Sequence, residues 1–240
     1  MKLILEAPFN SLSFGNVSLN IVRELHRKEV ELSIFPAGDL DFKAYEISDD
    51  LKKYIEDSIN NRWKNISAAT PSLKLWHLNG SENRKTKDQY LFTFYECNQP
   101  TEVETKICGL QDKTFFSSRE AKKHFTDQGL TNCQFIPLGF DEDFKVTGKE
   151  YLKDTIHFGL MGKFEKRKHT QKIIKTWLKK YGNNPKYQLS CCISNPFFKP
   201  EQMQGLWNDT LEGVNYNNLN IIPHLQKNSE VNELLNAIDI

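Results

Sequence analysis

Residues 159–173 read GLMGKFEKRKHTQKI. They predict a buried strand, a glycine turn at Gly162, a run of cations and then a helix. That helix carries an apolar stripe of Ile173, Ile174, Trp177, Leu178 and Tyr181. Lys172, Lys175 and Lys179 fall opposite it, as a solvated face. Lys163, Lys166, Arg167 and Lys168 differ because they precede the helix at the carboxyl end of the strand. A helix N-terminus already carries positive partial charge, so cations there are repelled. Its backbone N–H groups point outward, and glycine lets the chain approach a ligand closely. Lysine and arginine beside free N–H groups make an anion site, and phosphate is the expected anion. A bound diphosphate would turn the repulsion into attraction.

The same strand-turn-helix unit recurs along the chain. KLILEA, VELSIF, LKLWHL, YLFTFYE and KTFFSS read as strands of a first half, and CQFIPLGF as a further strand with its exit loop. SFGN is expected to be a glycine turn after the first strand. Helical spacing follows it through Val17, Ile21 and Leu25 and recurs through Leu51, Tyr54, Ile55 and Ile59. EVETKICGL reads as a short helix, and Ser117 or Ser118 can cap the helix that stops at Gly129. DFKVTGKEYLKD reads as a linker. A second half follows, with strands TIHFGLM, YQLSCCIS and LNIIPHL. Its helices are closed by Gly182, built on KPEQMQGLWNDTLEG, and capped by Ser229. The final Asp239-Ile240 reads as the start of another strand. Alternation of this kind implies an α/β protein with two Rossmann-like domains, 1–144 and 145–240, each on a parallel sheet, the second incomplete. Ligands of such sheets bind at the carboxyl ends of strands and often between domains.

Composition narrows the function classes. The net charge of +1 argues against a general nucleic-acid binder, so nucleic acid is not an expected partner. The five cysteines are odd in number and lack C-x-x-C spacing, which disfavours zinc and disulfide frameworks and fits reduced, buried thiols in a cytoplasmic protein. MKLILEAPF is too short for a signal peptide, and no apolar run nears the roughly 18 residues a membrane span needs. Peripheral membrane contact stays open.

The basic turn GKFEKRK resembles the phosphate-binding turn of GT-B glycosyltransferases of the family 4 type. Lys163 stands where that family usually has an arginine, and Lys168 matches its lysine. His169 stands where glycine is common. Residues 94–144 are similar to the stretch joining the family's two domains, with Glu96, Ser117 or Ser118, Pro137, Gly139 and Asp141 in matching places. SFGNVSLNIVREL resembles its first glycine loop: Gly15 matches, and Asn16 stands where a second glycine is frequent. The resemblance implies transfer of a sugar from a nucleotide sugar to a glycan, lipid or protein acceptor, with retention at the anomeric carbon. Residues 1–144 would be the acceptor side and 145–240 the donor side. Gly15, Gly162, Lys163 and Lys168 would face the donor phosphates. His77 and Glu96 are the candidates nearest the reacting sugar; a packed histidine and a helix-capping glutamate are the plainer readings.

The resemblance implies no metal and no cofactor. Two D-x-D triplets occur, Asp39–Asp41 and Asp141–Asp143. Paired carboxylates suit Mg²⁺, but the second triplet falls where the family has a structural aspartate. His157 reads as packing, and His224 falls near the family's nucleobase pocket. The family's glutamate-bearing glycine loop has no counterpart before Ile240. A truncated chain, a completing partner chain and a misread second half would each account for that, and truncation is the expectation. The competing reading is a non-catalytic remnant that binds a nucleotide or phosphate ligand.

Overall fold

In the computed structural model, which describes every residue except Asn65 and Pro196, the chain divides into two compact units, Met1–Asp141 and Glu142–Ile240. The first unit has strands β1 (Lys2–Ala7), β2 (Glu31–Pro36), β3 (Ser72–Leu75), β4 (Gln89–Thr93), β5 (Lys113–Phe116) and β6 (Cys133–Phe135). Its helices are α1 (Ser13–Arg27), α2 (Asp49–Asn60), α3 (Glu102–Gly109) and α4 (Arg119–Asp127). All pairings are parallel, in the order β2-β1-β3-β4-β5-β6. Leu5, Ala7, Leu32, Ile34 and Leu75 of the sheet pack with Leu19, Val22, Leu51 and Ile55 of α1 and α2. Leu91, Phe116, Ile107 and Phe125 form a second core with α3 and α4.

The chain lays β2 on one side of β1 and β3 on the other. This reversal parts the connections at the carboxyl ends of β1 and β3 and leaves a crevice there. Glu6 and Lys74, facing partners at those ends, pair at 2.7 Å, and Lys85 reaches the other Glu6 oxygen at 2.7 Å. Burial alone would raise the Glu6 pKa, but the two ammonium groups win and hold the carboxyl below its ordinary value.

SFGN is not a turn. Ser13 opens α1, and Gly15 sits buried in its first turn. A methyl group there would overlap the carbonyl oxygen and amide nitrogen of Asn10, so glycine serves close packing of α1 on the loop rather than a loop conformation. Three expected strands are also shorter than read, so Trp76–Leu78, Phe94–Glu96 and Ser117–Ser118 lie outside them, while 136–140 is the exit loop expected after β6. Their polar and glycine-containing exits leave the ladder once the neighbouring strand ends.

The second unit has strands β7 (Ile156–Lys163), β8 (Tyr187–Ser194) and β9 (Leu219–Ile221), parallel in that order. Its helices are α5 (Thr170–Tyr181), α6 (Pro200–Leu211) and α7 (Asn228–Ala237). Ile174, Trp177 and Leu178 of α5 meet Leu189, Cys191 and Ile193 of β8 and Trp207 of α6, whereas Ile173 is exposed. Ser229 lies inside α7 rather than at its cap, and Glu230 instead takes the N–H groups of Gln226 and Lys227. His224 lies past β9, which ends at Ile221. Gly182 ends α5 without a left-handed turn; Asn183 takes that conformation at φ 60°.

Beyond α7 the chain returns to the free edge of β7. Asp239 and Ile240 donate to the His157 carbonyl at 2.8 and 3.2 Å, and Gly159 N–H donates to Ile240 O at 2.9 Å. That is the spacing of a parallel bridge. Ile238 lies where a side chain on Gly159 would stand. Asp239 and Ile240 therefore lie along an edge of β7, at the end of the three-stranded sheet β7-β8-β9.

The carboxyl end of β7 is conformationally demanding. Gly162 has φ +124°, which side chains rarely adopt. Lys166–Lys168 form one 3-10 turn, and His169 joins it to α5 at φ 53°.

Three stability outcomes follow. Gly15→Ala and Gly162→Ala should each lower the unfolding free energy by about 1–3 kcal/mol in urea titrations, one by overlap and one by strain. His169→Gly should hold or raise it, by up to about 1 kcal/mol, because glycine relieves the left-handed residue. The stabilisation Glu6 contributes is present above its ordinary pKa of 4.5 and lost as pH falls through its lower folded value. The gap between the parent chain and Glu6→Gln should therefore narrow in unfolding curves taken below that pH.

Candidate functional site

In the second unit, the expected residues gather at the carboxyl end of β7. Gly162 brings the backbone into a turn with no side chain, and a methyl group built on it would stand 3.5 Å from Lys168 Nζ. The Lys168 ammonium thus hangs over the bare Gly162 backbone. Lys163 is the last residue of β7, and its Nζ lies 5.3 Å from the centre of the Phe197 ring. The Lys163 carbonyl accepts from Thr170 Oγ1 at 3.3 Å, and Phe164 N–H donates to Ser194 O at 2.9 Å. Asn195 Nδ2 donates to Phe164 O at 3.2 Å. These bonds hold the turn from both β8 and α5.

No acidic side chain lies in the first turn of α5. The amides of Thr170, Gln171 and Lys172 lack acceptors one turn back, as at any helix start. One of the three cations in the 3-10 turn is offset within the turn: Arg167 Nε sits 2.9 Å from Glu165 Oε2. Lys166 and Lys168 have no ion pair among the described residues. Beside them lies a cavity of about 520 Å³ lined by Phe164, Glu165, His169, Thr170, Asn195 and Phe198. The arrangement can hold an oxyanion: the Lys168 ammonium, a helix start and a glycine-bare backbone meet at one end of a strand, with Lys166 lining the cavity beside them.

His169, expected as a departure from glycine, takes the conformation glycine would take there. The backbone is thus the same shape with a heavier residue in it. Lys172 is exposed, and Lys175 pairs with Glu212 at 2.5 Å, so that helix face is solvated as read.

In the first unit, Gly15, His77 and Glu96 all lie at the carboxyl side of the sheet. Phe14, next to Gly15, stacks on Phe94 at 4.3 Å and meets the His77 ring edge-on at 4.7 Å. Trp76 completes the group, 5.8 Å from Phe14. His77 is exposed and its carbonyl accepts from Ser81 Oγ at 2.8 Å. The structure therefore brings the first turn of α1 and His77 together. Glu96 is exposed in the loop after β4 and makes no hydrogen bond or ion pair among the described residues. It does not cap α3; Thr101 and Glu104 do so in a reciprocal pair. The aromatic group around Phe14 was not singled out from the sequence. Its signal is three rings just past strand ends, Trp76, His77 and Phe94, beside Phe14 in the first turn of α1.

The remaining candidates have structural duties. Asp141 accepts from Asn20 Nδ2 at 3.0 Å and pairs with the buried Arg23 at 3.4 Å, while Arg23 also donates to Glu46 O at 3.0 Å. Asp143 accepts from Asn228 Nδ2 at 3.0 Å. Asp41 accepts from Lys43 N–H at 3.1 Å. Ser118 caps α4 by accepting from Ala121 N–H. His157 is buried; its Nδ1 must donate to Ala237 O, at 2.5 Å, so its Nε2 accepts from Ser190 Oγ, at 2.7 Å. Among the described residues no cluster of three or more metal-binding side chains occurs, and no helix is long and apolar enough to cross a membrane.

No family model matches this sequence and no curated protein does. Solved structures do resemble it. Sucrose-phosphate synthase from Thermosynechococcus elongatus superposes with a TM-score of 0.67 at 12% identity, over 99% of this chain and 74% of that one. The E. coli trehalose-6-phosphate protein bound with UDP-2-fluoro glucose gives 0.62 at 11%, over 99% and 77%. Anabaena Alr3699/HepE in complex with UDP-glucose gives 0.58 at 10%, over 100% and 72%. At these identities the likeness is one of fold, and the fold is GT-B: an α/β chain of two Rossmann-like units on parallel sheets, six-stranded and three-stranded here.

Proposed function

We propose that this chain is a glycosyltransferase of the family 4 type, taking a sugar from a nucleotide-sugar donor. The observation that carries the reading is Lys168 Nζ poised over Gly162 at the carboxyl end of β7. Neighbours of the same fold were solved with UDP-2-fluoro glucose and UDP-glucose, which makes a uridine diphosphate the first donor head to test.

In this reading Gly162, Lys163 and Lys168 hold the diphosphate, together with the first amides of α5. Negative charge grows on the diphosphate as the bond to the sugar breaks. Fixed cations and helix N–H groups stabilise that charge more strongly in the transition state than before it. The same cations make a metal unnecessary for the leaving group, and no cofactor enters the reaction. Lys163 supplies charge without the two-pronged geometry of an arginine, so its share in orienting the phosphate is smaller. His77 and Glu96, both exposed, serve the acceptor side, where they are free to meet a glycan, lipid or protein hydroxyl, and Gly15 stays assigned to the donor phosphates. Retention at the anomeric carbon and a cytoplasmic setting belong to the same proposal.

The test is a thermal-shift titration with UDP, GDP and ADP. One diphosphate should raise the midpoint, and Lys168→Ala should weaken its binding by roughly 1.5–3 kcal/mol, the scale of a charge-assisted hydrogen bond. Lys172→Ala should leave the affinity within about 0.5 kcal/mol. Equal affinity in Lys168→Ala and the parent chain would overturn the assignment of the site. Release of nucleotide from the matching sugar donor separates an enzyme from a module that binds without turnover.

A further inference from the structure

We propose that Cys108 and Cys133 form a redox-active dithiol, which a small hydroperoxide converts into a disulfide. The five cysteines are free thiols, and these two lie with their Sγ atoms 3.7 Å apart in the core of the first unit. A disulfide needs about 2.05 Å, so closure asks for a side-chain movement of about 1.7 Å. The backbone around them is already pinned. Asn132, adjacent to Cys133, donates from Nδ2 to the Cys108 carbonyl at 2.8 Å and to the Gln111 carbonyl at 2.8 Å. Thr114 Oγ1 reaches the Cys108 carbonyl as well, at 3.4 Å. The end of α3 and the start of β6 are thus held in register independently of the thiols.

The two sulfurs are not equivalent. Cys108 is fully buried, whereas Cys133 keeps 5% of its surface. The hydrogen bond between them and the nearby Lys122 charge hold the Cys133 thiol below its ordinary pKa, and the same bond and burial push Cys108 up. Cys133 is therefore the attacking thiolate and Cys108 the resolving thiol. The Cys133 sulfur attacks the peroxide, its O–O bond breaks, and an alcohol (water, for hydrogen peroxide) leaves after taking a proton. The product is Cys133 sulfenic acid. The Cys108 sulfur then attacks that sulfur, the S–S bond forms, and the S–O bond breaks. Hydroxide leaves with the Cys108 proton as water. Two electrons pass from the thiols to the peroxide, and two hydrogens leave the protein. Cys191 is also buried, but burial pushes its thiol up to about 12, which keeps it inert.

The experiment treats the folded 240-residue chain with stoichiometric hydrogen peroxide, alkylates the remaining thiols and maps peptides without reduction. The expected result is a Cys108–Cys133 linked pair, lighter by two hydrogens and released by dithiothreitol. It should form at least roughly tenfold faster than in urea, because the fold holds the thiols in contact. In Cys108→Ser, dimedone should trap a sulfenic acid on Cys133. Oxidation confined to the exposed Cys97, or a cross-link that forms as fast in the unfolded chain, would overturn the proposal. The mapping of the parent chain stands even where the variant fails to fold.

Discussion

The reversal of strand order next to a central strand governs the rest of this molecule. Parallel strands can be joined only by crossovers, and right-handed crossovers that leave in opposite directions cover opposite faces of the sheet. Where they part, the carboxyl ends of two strands are left uncovered. This happens between β1 and β3 in the first unit. Gly15 follows β1 and packs against the Asn10 backbone, and in the second unit Gly162 and His169, both with positive φ, flank the basic turn that follows β7.

Electrostatics at β7 runs against stability. Three consecutive cations precede a helix whose first turn has no acid, and only Arg167 has an ion pair inside the turn. A protein keeps such a cost where the charge is needed, and an arriving anion removes it. The far end of α5 has the opposite arrangement: Lys179 and Lys180 sit in the last turn, where cations suit the helix dipole. The same residue type is therefore stabilising at one end of one helix and unfavourable at the other, which separates a surface lysine from a site lysine.

The buried pair of Arg23 and Asp141 illustrates a different use of charge. Asp141 closes the first unit by taking hydrogen bonds from α1 through Asn20 and Arg23, and Arg23 continues to the Glu46 carbonyl. Removing one partner would leave the other charge buried, so the pair fixes where the exit loop runs more than it adds net stability. Asp143 of the same triplet is held by Asn228.

Much of the architecture was legible in the sequence, because strand alternation and helical stripes are local and periodic. The parallel α/β class, the order of elements, the basic turn on β7 and the solvated face of α5 could all be read from residue type and spacing; the structural role of Asp141 came from the resemblance alone. The first turn of α1 could not. SFGN contains a glycine, and glycine in a sequence marks either a loop conformation or a close approach; only the Asn10 backbone packed against Gly15 distinguishes them. Strand order was likewise invisible, since it depends on which edge each crossover returns to. So were the Phe14, Trp76, His77 and Phe94 group and the Cys108–Cys133 contact, whose members are far apart in the chain. The sequence by itself determined which segments become strands and helices, because that choice follows local periodicity. The tertiary structure decided which side chains meet, because that follows from the long-range return of the chain to one sheet edge or the other.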